Sequence, residues 1–431
     1  KMHKISFDLS LDDISKIEGN AAVNVTVRDG KVSDLRFQVT GYRRFYTQAV
    51  QGKPIAAVPQ HLARICGTCS NAHLLCSIQS IEHALKVVPS EQTKLLRRLV
   101  VDGLMIRDHA LHLYVFSLPD LFEKDSLLDF DEQDKTQHQL LHDTFDVKSI
   151  GNDLSNAFGG RSVHAIYPTI GGFLQIPSTQ DTQSLLPKLA NIREAVLRLI
   201  DVFAACAFHQ EDRDTIFFAL DAKDQYSFLE GNLATSDGTI VPAPEFRKHL
   251  ERVVIPYSQA SGFSFIGKRP MVGALARMNL HAHSLHPKTK ESVKNLLNKF
   301  PSSNIFDNNL AQAIEILHCV DEAYDILNSH SFHLETPIKP EILDGIGIGV
   351  VEAPRGTLYH QVTVEKAKVT ASEVIVPTGQ NQISIEQNLK NCVEQHIDME
   401  KKKLELEMEK VVRAYDPCMS CATHFLKVKW K

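Results

Sequence analysis

Two cysteine pairs, Cys66-Gly67-Thr68-Cys69 and Cys418-Met419-Ser420-Cys421, lie near opposite ends of a 431-residue chain. Within each pair the thiols are three residues apart, a spacing at which a turn opening a helix aims both at one ion. Helix N-terminal amides also favour the thiolate. Four thiolates suit zinc, an iron–sulfur cluster or another soft transition metal. Small zinc modules hold their pairs within some tens of residues. A fold that joins such distant pairs bears a chain-entropy cost, which points to a purpose beyond stapling. The flanks agree: Arg64 and Asp416 precede the pairs, and His73 and His424 follow them. A structural zinc site needs none of these. The remaining cysteines, Cys76, Cys206, Cys319 and Cys392, stand singly in apolar or helical surroundings and read as small buried hydrophobes.

The net charge is −5, with Lys and Arg spread along the chain, so there is no basic face for nucleic acid. The run Lys401-Lys402-Lys403, followed by Glu405, Glu407 and Glu409, reads as a solvated helix face. No run of about 18 uncharged apolar residues occurs, so no membrane span is expected. Residues 1–13 lack a signal-peptide core, and a cytoplasmic location is expected. Phe158-Gly159-Gly160 and Gly171-Gly172-Phe173 match neither dinucleotide nor phosphate-loop patterns; they read as a turn-rich connection.

Hydrophobic periodicity gives the layout. Residues 4–42 alternate as strands, with a turn at Asp29-Gly30 and an interruption at Lys16-Ile17-Glu18-Gly19. Helical spacing follows from about 55 to 118, then over 182–220 and 305–332. Pro89-Ser90 and Pro119-Asp120 punctuate it, and Ser90 or Thr93 caps the helix after Pro89. Strand character returns over 343–376, and a last helix runs from about 382 to 413. The expectation is a mainly α fold with small β elements in one domain, 1–431. Its parts are a β-rich 1–45, a helical body 55–335, a β segment 343–376, and a C-terminal helix with metal motif, 382–431.

The motifs Arg64-Ile65-Cys66-Gly67-Thr68-Cys69-Ser70-Asn71-Ala72-His73 and Asp416-Pro417-Cys418-Met419-Ser420-Cys421-Ala422-Thr423-His424 together resemble the large, catalytic subunit of nickel–iron hydrogenases. That family carries RxCGxCxxxH near its N-terminus and DPCxxCxxH near its C-terminus. The resemblance extends to Lys16-Ile17-Glu18-Gly19, Arg107-Asp108-His109, Glu352-Ala353-Pro354-Arg355-Gly356 and Val376-Pro377-Thr378. Pro270-Met271-Val272-Gly273-Ala274 and Asn308-Asn309-Leu310-Ala311-Gln312-Ala313 look most like the soluble, multi-subunit, NAD(P)-linked branch. The implied architecture is a long central helix bundle with an N-terminal β region.

The resemblance implies nickel held by Cys66, Cys69, Cys418 and Cys421, with Cys69 and Cys421 also bridging to an iron that carries carbon monoxide and two cyanides. The implied reaction is reversible cleavage of dihydrogen into protons and electrons. Heterolytic cleavage needs a Lewis acid and a nearby base. A terminal thiolate is the first base, and Glu18 takes the proton from around Cys418. The bland reading of Glu18 is a pair with Lys16 or the cap of a turn. Arg355 resembles the arginine over the open metal face, held by Asp108 and Asp416, with Pro354 beside it; the bland reading of Asp108 is a helix-surface residue. Thr378 resembles the hydroxyl that donates to a cyanide, and His73 the donor to a bridging sulfur.

Three departures stand out. The usual RIEGH is Lys16-Ile17-Glu18-Gly19-Asn20 here. Tyr46 stands where the family has a glutamate that, with the histidine matching His424, binds a magnesium or iron ion. Tyrosine is a poor magnesium ligand, which argues against that third ion. The chain also continues as Phe425 to Lys431, where many members lose a C-terminal extension after nickel insertion; either this branch keeps the tail or the chain is an unprocessed form. The scattered remaining cysteines leave no set for clusters, so electrons are expected to leave through an iron–sulfur small subunit and then flavin/NAD(P) reductase subunits. A maturation protease and nickel chaperones are the other implied partners. Alternatives are a low-turnover hydrogen sensor, a nickel-free or zinc-containing unprocessed form, and a scaffold like the quinone-site subunit of respiratory complex I. The retained cysteine quartet argues against the last.

Overall fold

Asp29 and Gly30 adopt positive φ, 53° and 76°, as a type I′ hairpin turn requires. In the computed structural model, which describes residues 5–341 and 343–423, strand β1 (Phe7–Leu11) pairs antiparallel with β2 (Ala21–Arg28), and this turn joins β2 to β3 (Lys31–Val39). Val23, Val25, Val27, Phe37 and Val39 alternate onto the buried face.

Helix α1 (Ser70–Leu85) starts directly after Cys69. Helix α2 (Glu91–Ala110) is capped by Ser90, whose Oγ accepts from Thr93 N at 3.1 Å, so the cap falls on Ser90. A π-helical segment, Leu111–Ser117, continues α2; such segments are rare and frequently mark functional sites. Helix α3 (Lys135–Gly159) ends where Gly160 turns left-handed, φ 78°. Pro168–Thr169 then pairs with Gly172–Phe173 across Gly171, so both glycine pairs serve turns. A Ser178–Asp181 capping box opens α4 (Thr179–Ala204).

Two helical expectations fail here. The helix does not reach residue 220: Thr215–Asp221 is strand β4, and six strands lie between Thr215 and Met271 inside the expected helical body. The segment Thr-Ile-Phe-Phe-Ala-Leu-Asp is β-branched and aromatic, and a short apolar run of this kind carries no period that separates strand from helix. The helical reading resumes with α5 (Ala274–His281) and α6 (Asp307–Ser329). Helices α2, α3, α4 and α6 share a core that includes Leu99, Ile106, Leu154, Leu199 and Ile316, each such side chain contributing about 1.5–3 kcal/mol on burial. A Cβ on Gly151 of α3 would lie 2.6 Å from the Arg107 amide, so the two backbones touch beside Asp108.

Strands β5 (Gly345–Ala353), β6 (Gly356–Glu365) and β7 (Lys368–Ile375) form an antiparallel meander. Gly347 and Gly349 of β5 face α1. A Cβ there would fall 1.8 Å from Ser80 O and 2.2 Å from Cys76 O, so bare backbone lets the helix lie against the strand. The expected last helix is two, α7 (Pro377–Gln395) and α8 (Lys401–Ala414), because His396 leaves helical geometry at φ −118°, ψ 27°. Both pack on the N-terminal sheet, with Ile385, Leu389, Met408 and Val411 meeting its valines. Lys401–Lys403 are exposed, as expected. A short helix α9 (Met419–Ala422) follows. Among the described residues, no helix is long and apolar enough to cross a membrane.

Candidate metal centre

Cys69 is the cap residue of α1 and Cys418 that of α9. The two turns face each other, so the four Sγ atoms of Cys66, Cys69, Cys418 and Cys421 all lie within 4.8 Å of one another. Cys66 and Cys418 are 3.4 Å apart, Cys69 and Cys421 3.2 Å, and Cys418 and Cys421 3.2 Å. All are buried, and none is in a disulfide. Hydrogen bonds from Cys418, Cys421 and Cys69 hold the Cys66 thiol well below the ordinary thiol range, and burial pushes Cys418 and Cys421 well above it. Four thiolates this close need a cation among them, and a soft transition metal matches the all-sulfur donor set. Among the described residues this is the one such cluster. Of the other cysteines, Cys76, Cys319 and Cys392 are buried as expected, while Cys206 is only partly so.

Glu18 reaches the cluster from the interruption between β1 and β2. Its backbone bridges to Cys418, and its carbonyl accepts from Met419 N at 2.9 Å. Gly19 makes this approach possible: its φ is 80°, and a Cβ would meet that of Met419 at 2.8 Å. Glu18 Oε2 lies 3.0 Å from Cys418 Sγ and accepts from Ser420 N at 3.0 Å, and Oε1 accepts from Ser420 Oγ at 2.5 Å. Lys16 turns instead to Asp120, 2.7 Å away; the bland Lys16–Glu18 pair does not form. Glu18 is half-buried.

Arg355 sits in the tight turn between β5 and β6. Its Nη1 donates to Asp108 Oδ2 at 2.8 Å and its Nη2 to Asp416 Oδ1 at 2.9 Å. Nη1 also lies 3.5 Å from Thr68 Oγ1, itself 3.4 Å from Cys66 Sγ. Burial opposes the charge on Arg355, but Asp108 and Asp416 override it and hold the guanidinium protonated. Asp108 is 1% exposed, so it is not a surface residue. Gly356, at φ 128°, closes the turn.

The remaining expected residues fall as follows. His73 Nε2 lies 3.5 Å from Cys421 Sγ and Nδ1 3.1 Å from His360 Nε2; burial lowers its pKa to about 4, so the ring is neutral. Thr378, in the first turn of α7, accepts from Cys418 N at 2.9 Å. The Pro354 carbonyl accepts from Arg277 at 3.0 Å. Arg64 is exposed and takes no part in the cluster. His424 and the tail after it lie outside the described residues, and Tyr46 stacks under the Arg44 guanidinium at 5.4 Å.

Sequence reasoning missed the supports. Arg44 donates to the carbonyls of Ile65 and Ser420, tying the two motifs together. Arg277 binds Glu315 through Nε and Nη2 at 2.6 and 2.7 Å and Glu352 at 2.8 Å. Its Nη1 also reaches the Ala353 carbonyl at 3.1 Å, fixing the turn that presents Arg355. His109 and Tyr226 complete the Glu315 shell at 2.8 and 2.5 Å. A lone Arg and a lone Glu on helices carry no spacing signal.

Four buried thiols from two facing helix caps, beside a guanidinium clamped by two carboxylates, make a site that suits a soft transition metal. The sequence pattern of the nickel-dependent hydrogenases matches residues 44–152 and 222–424, and the chain belongs to that family. It is 31% identical to Sulfhydrogenase 1 subunit alpha of Pyrococcus furiosus, over 99% of this chain and 100% of that one. It is 27% identical to NAD-reducing hydrogenase HoxS subunit beta of Cupriavidus necator, over 98% and 96%. The fold is that of a solved NAD+-reducing [NiFe]-hydrogenase chain, with a TM-score of 0.85 at 23% identity, covering 97% of this chain and 99% of that one. A Ni-Fe-Se hydrogenase from D. vulgaris Hildenborough matches with a TM-score of 0.78 at 20% identity, covering 97% and 100%. The family's nickel and iron fit the all-thiol donor set. The mainly α reading with small β elements is borne out by these architectures.

Proposed function

We propose that this chain is the dihydrogen-splitting subunit of a multi-subunit hydrogenase. One observation carries the reading: the Cys418 thiol sits 3.0 Å from the Glu18 carboxylate, a ligand sulfur in contact with a proton acceptor. Nickel and iron, which Cys66, Cys69, Cys418 and Cys421 would hold, would supply the Lewis acidity that polarises dihydrogen. The chain's own residues do the rest. Cys418 Sγ holds the released proton, and Glu18 Oε2 accepts it along the existing contact. Glu18, half-buried, hands it outward, while Ser420 fixes the carboxylate. Arg355 presents a fixed positive charge and N–H donors beside the cluster, clamped by Asp108 and Asp416, so that charge developing on dihydrogen meets preorganised dipoles. The family's two cyanides would take hydrogen bonds from Arg355 and Thr378. His73, neutral, would donate to the Cys421 sulfur. Tyr46 stands against a magnesium site at His424.

The two electrons need an exit, and no second metal-ligand cluster occurs among the described residues. An iron–sulfur small subunit is the class of partner this requires, with flavin and NAD(P) reductase subunits beyond it; the resemblance to the NAD-reducing enzyme supports this branch. A maturation protease and nickel chaperones would load the site. The eight cysteines, none of them in a disulfide, fit a cytoplasmic location, and residues 1–431 act as one functional domain. The test is the complex purified with its partners and maturation proteins: nickel and iron in comparable amounts, and dihydrogen-dependent reduction of a redox dye. Absence of both metals from such a preparation would refute the proposal.

A further inference from the structure

His112 lies in the π-helical segment after α2 and is 1% exposed. Its Nδ1 is 2.6 Å from Gln312 Oε1. Its Nε2 is 2.8 Å from the Arg413 carbonyl and 3.1 Å from Ser117 Oγ. The Gln312 amide has a fixed orientation, because its Nε2 donates to Asp416 Oδ2 at 2.9 Å and a carboxylate only accepts. An acceptor therefore faces Nδ1, and a second acceptor, the Arg413 carbonyl, faces Nε2. A neutral imidazole has one N–H and one lone pair. It would set that lone pair against a carbonyl in the core, where an unmatched polar contact is most costly. The Ser117 hydroxyl is the alternative donor to Nε2, at the longer distance. A second ring proton gives the Gln312 and Arg413 carbonyls a donor each, with Ser117 Oγ as a further acceptor at Nε2 and the Asp416 carboxylate 3.9 Å away as counter-charge.

We propose that His112 is a buried imidazolium that positions Asp416 and, through it, Arg355; this rests on the role given to Arg355 above. The Arg413 carbonyl also accepts from Asp416 N at 2.8 Å. One ring thus braces both supports of Asp416: its backbone through Arg413 and its side chain through Gln312. That bracing has a load to hold, because Asp416 sits at φ 47°, a region costly for a residue with a Cβ. The other charges nearby are already matched. The Arg413 guanidinium binds Asp120 and Glu409, and Lys16 binds Asp120. Asp108 has the buried Arg107 beside it as well as Arg355, whereas Asp416 shares Arg355 with Asp108. His112 supplies a cation on the side of Asp416 away from Arg355.

Neutron diffraction from the assembled, deuterium-exchanged enzyme reads this without a variant or a turnover assay. Deuterium on both Nδ1 and Nε2 of His112 is the expected result; deuterium on Nδ1 alone, with Ser117 donating to Nε2, overturns it. The positioning role is read from His112→Gln in the same complex. A fall in kcat of roughly 10–100-fold at unchanged KM and metal content is expected, with Asp416 withdrawn from Arg355 in the variant's structure. Unchanged kcat and an unmoved Asp416 overturn that role. If the dihydrogen reading itself is wrong, the wild-type complex is inactive while the neutron result stands, so the two fail separately.

Discussion

Glu18 and Cys418 meet twice, through a backbone bridge and through a 3.0 Å contact between carboxylate and thiol. The bridge places the acid by main-chain geometry, so the contact does not depend on a side-chain rotamer alone. Glu18→Gln keeps the shape and removes the proton acceptor. Turnover of dihydrogen should fall by about 10²–10⁴-fold, with nickel and iron content unchanged. Elemental analysis beside dye-linked kinetics checks this, and full activity in the variant would remove Glu18 from the proton route.

Arg355→Lys keeps a charge but cannot span two carboxylates with a planar fork. The distance from Asp108 to Asp416 is bridged by a single guanidinium. Activity should fall about 10²–10³-fold while the protein still folds and loads metal. A variant whose rate matches wild type shows that charge alone suffices.

Gly347→Ala should destabilise the fold by about 3 kcal/mol or more, since the new Cβ meets the Ser80 carbonyl at 1.8 Å and backbone cannot swing aside. Gly67→Ala is the control, with nothing within 4 Å of its added Cβ. Thermal unfolding of the two variants should separate them clearly; equal melting temperatures contradict the close docking of α1 on β5.

Acid stability should carry the signature of Glu315. Burial opposes its ionisation, but Arg277 overrides this and lowers its pKa to about 2 from 4.5. A carboxylate depressed in the folded state stabilises above its unfolded pKa and loses that contribution as pH falls through the folded one. The loss, about 3 kcal/mol, should run from pH 4.5 down towards 2. Denaturant unfolding at stepped pH should show this slope in wild type and a shallower one in Glu315→Gln.

The metal ligands were legible because chemistry forces their spacing: two CxxC turns can be read without a structure. Glu18, Arg355, Asp108 and Asp416 were legible only as matches to a family's motifs, since none has a spacing rule of its own. Strand β4 was misread because Ile216, Phe217 and Phe218 are all buried, which erases the alternation that marks a half-exposed strand. The break at His396 has no glycine or proline to announce it. Arg277, Glu315, Gln312 and His112 stayed hidden for another reason. Their meaning lies in which element faces which, and that is settled by packing between residues 38 to 200 positions apart.

The meeting of the two cysteine turns has a consequence for the chain as a polymer. Cys66 and Cys418 are 352 residues apart in sequence, so one ion gripping both closes nearly the whole molecule into a ring. By the loop-entropy relation for cross-links, a closure of that length restricts the unfolded ensemble by about 6 kcal/mol. The loaded ion is then a clasp as well as a reaction centre. Only a chain in which both cysteine turns have found their places can fasten it, so metal retention registers that these distant segments have docked.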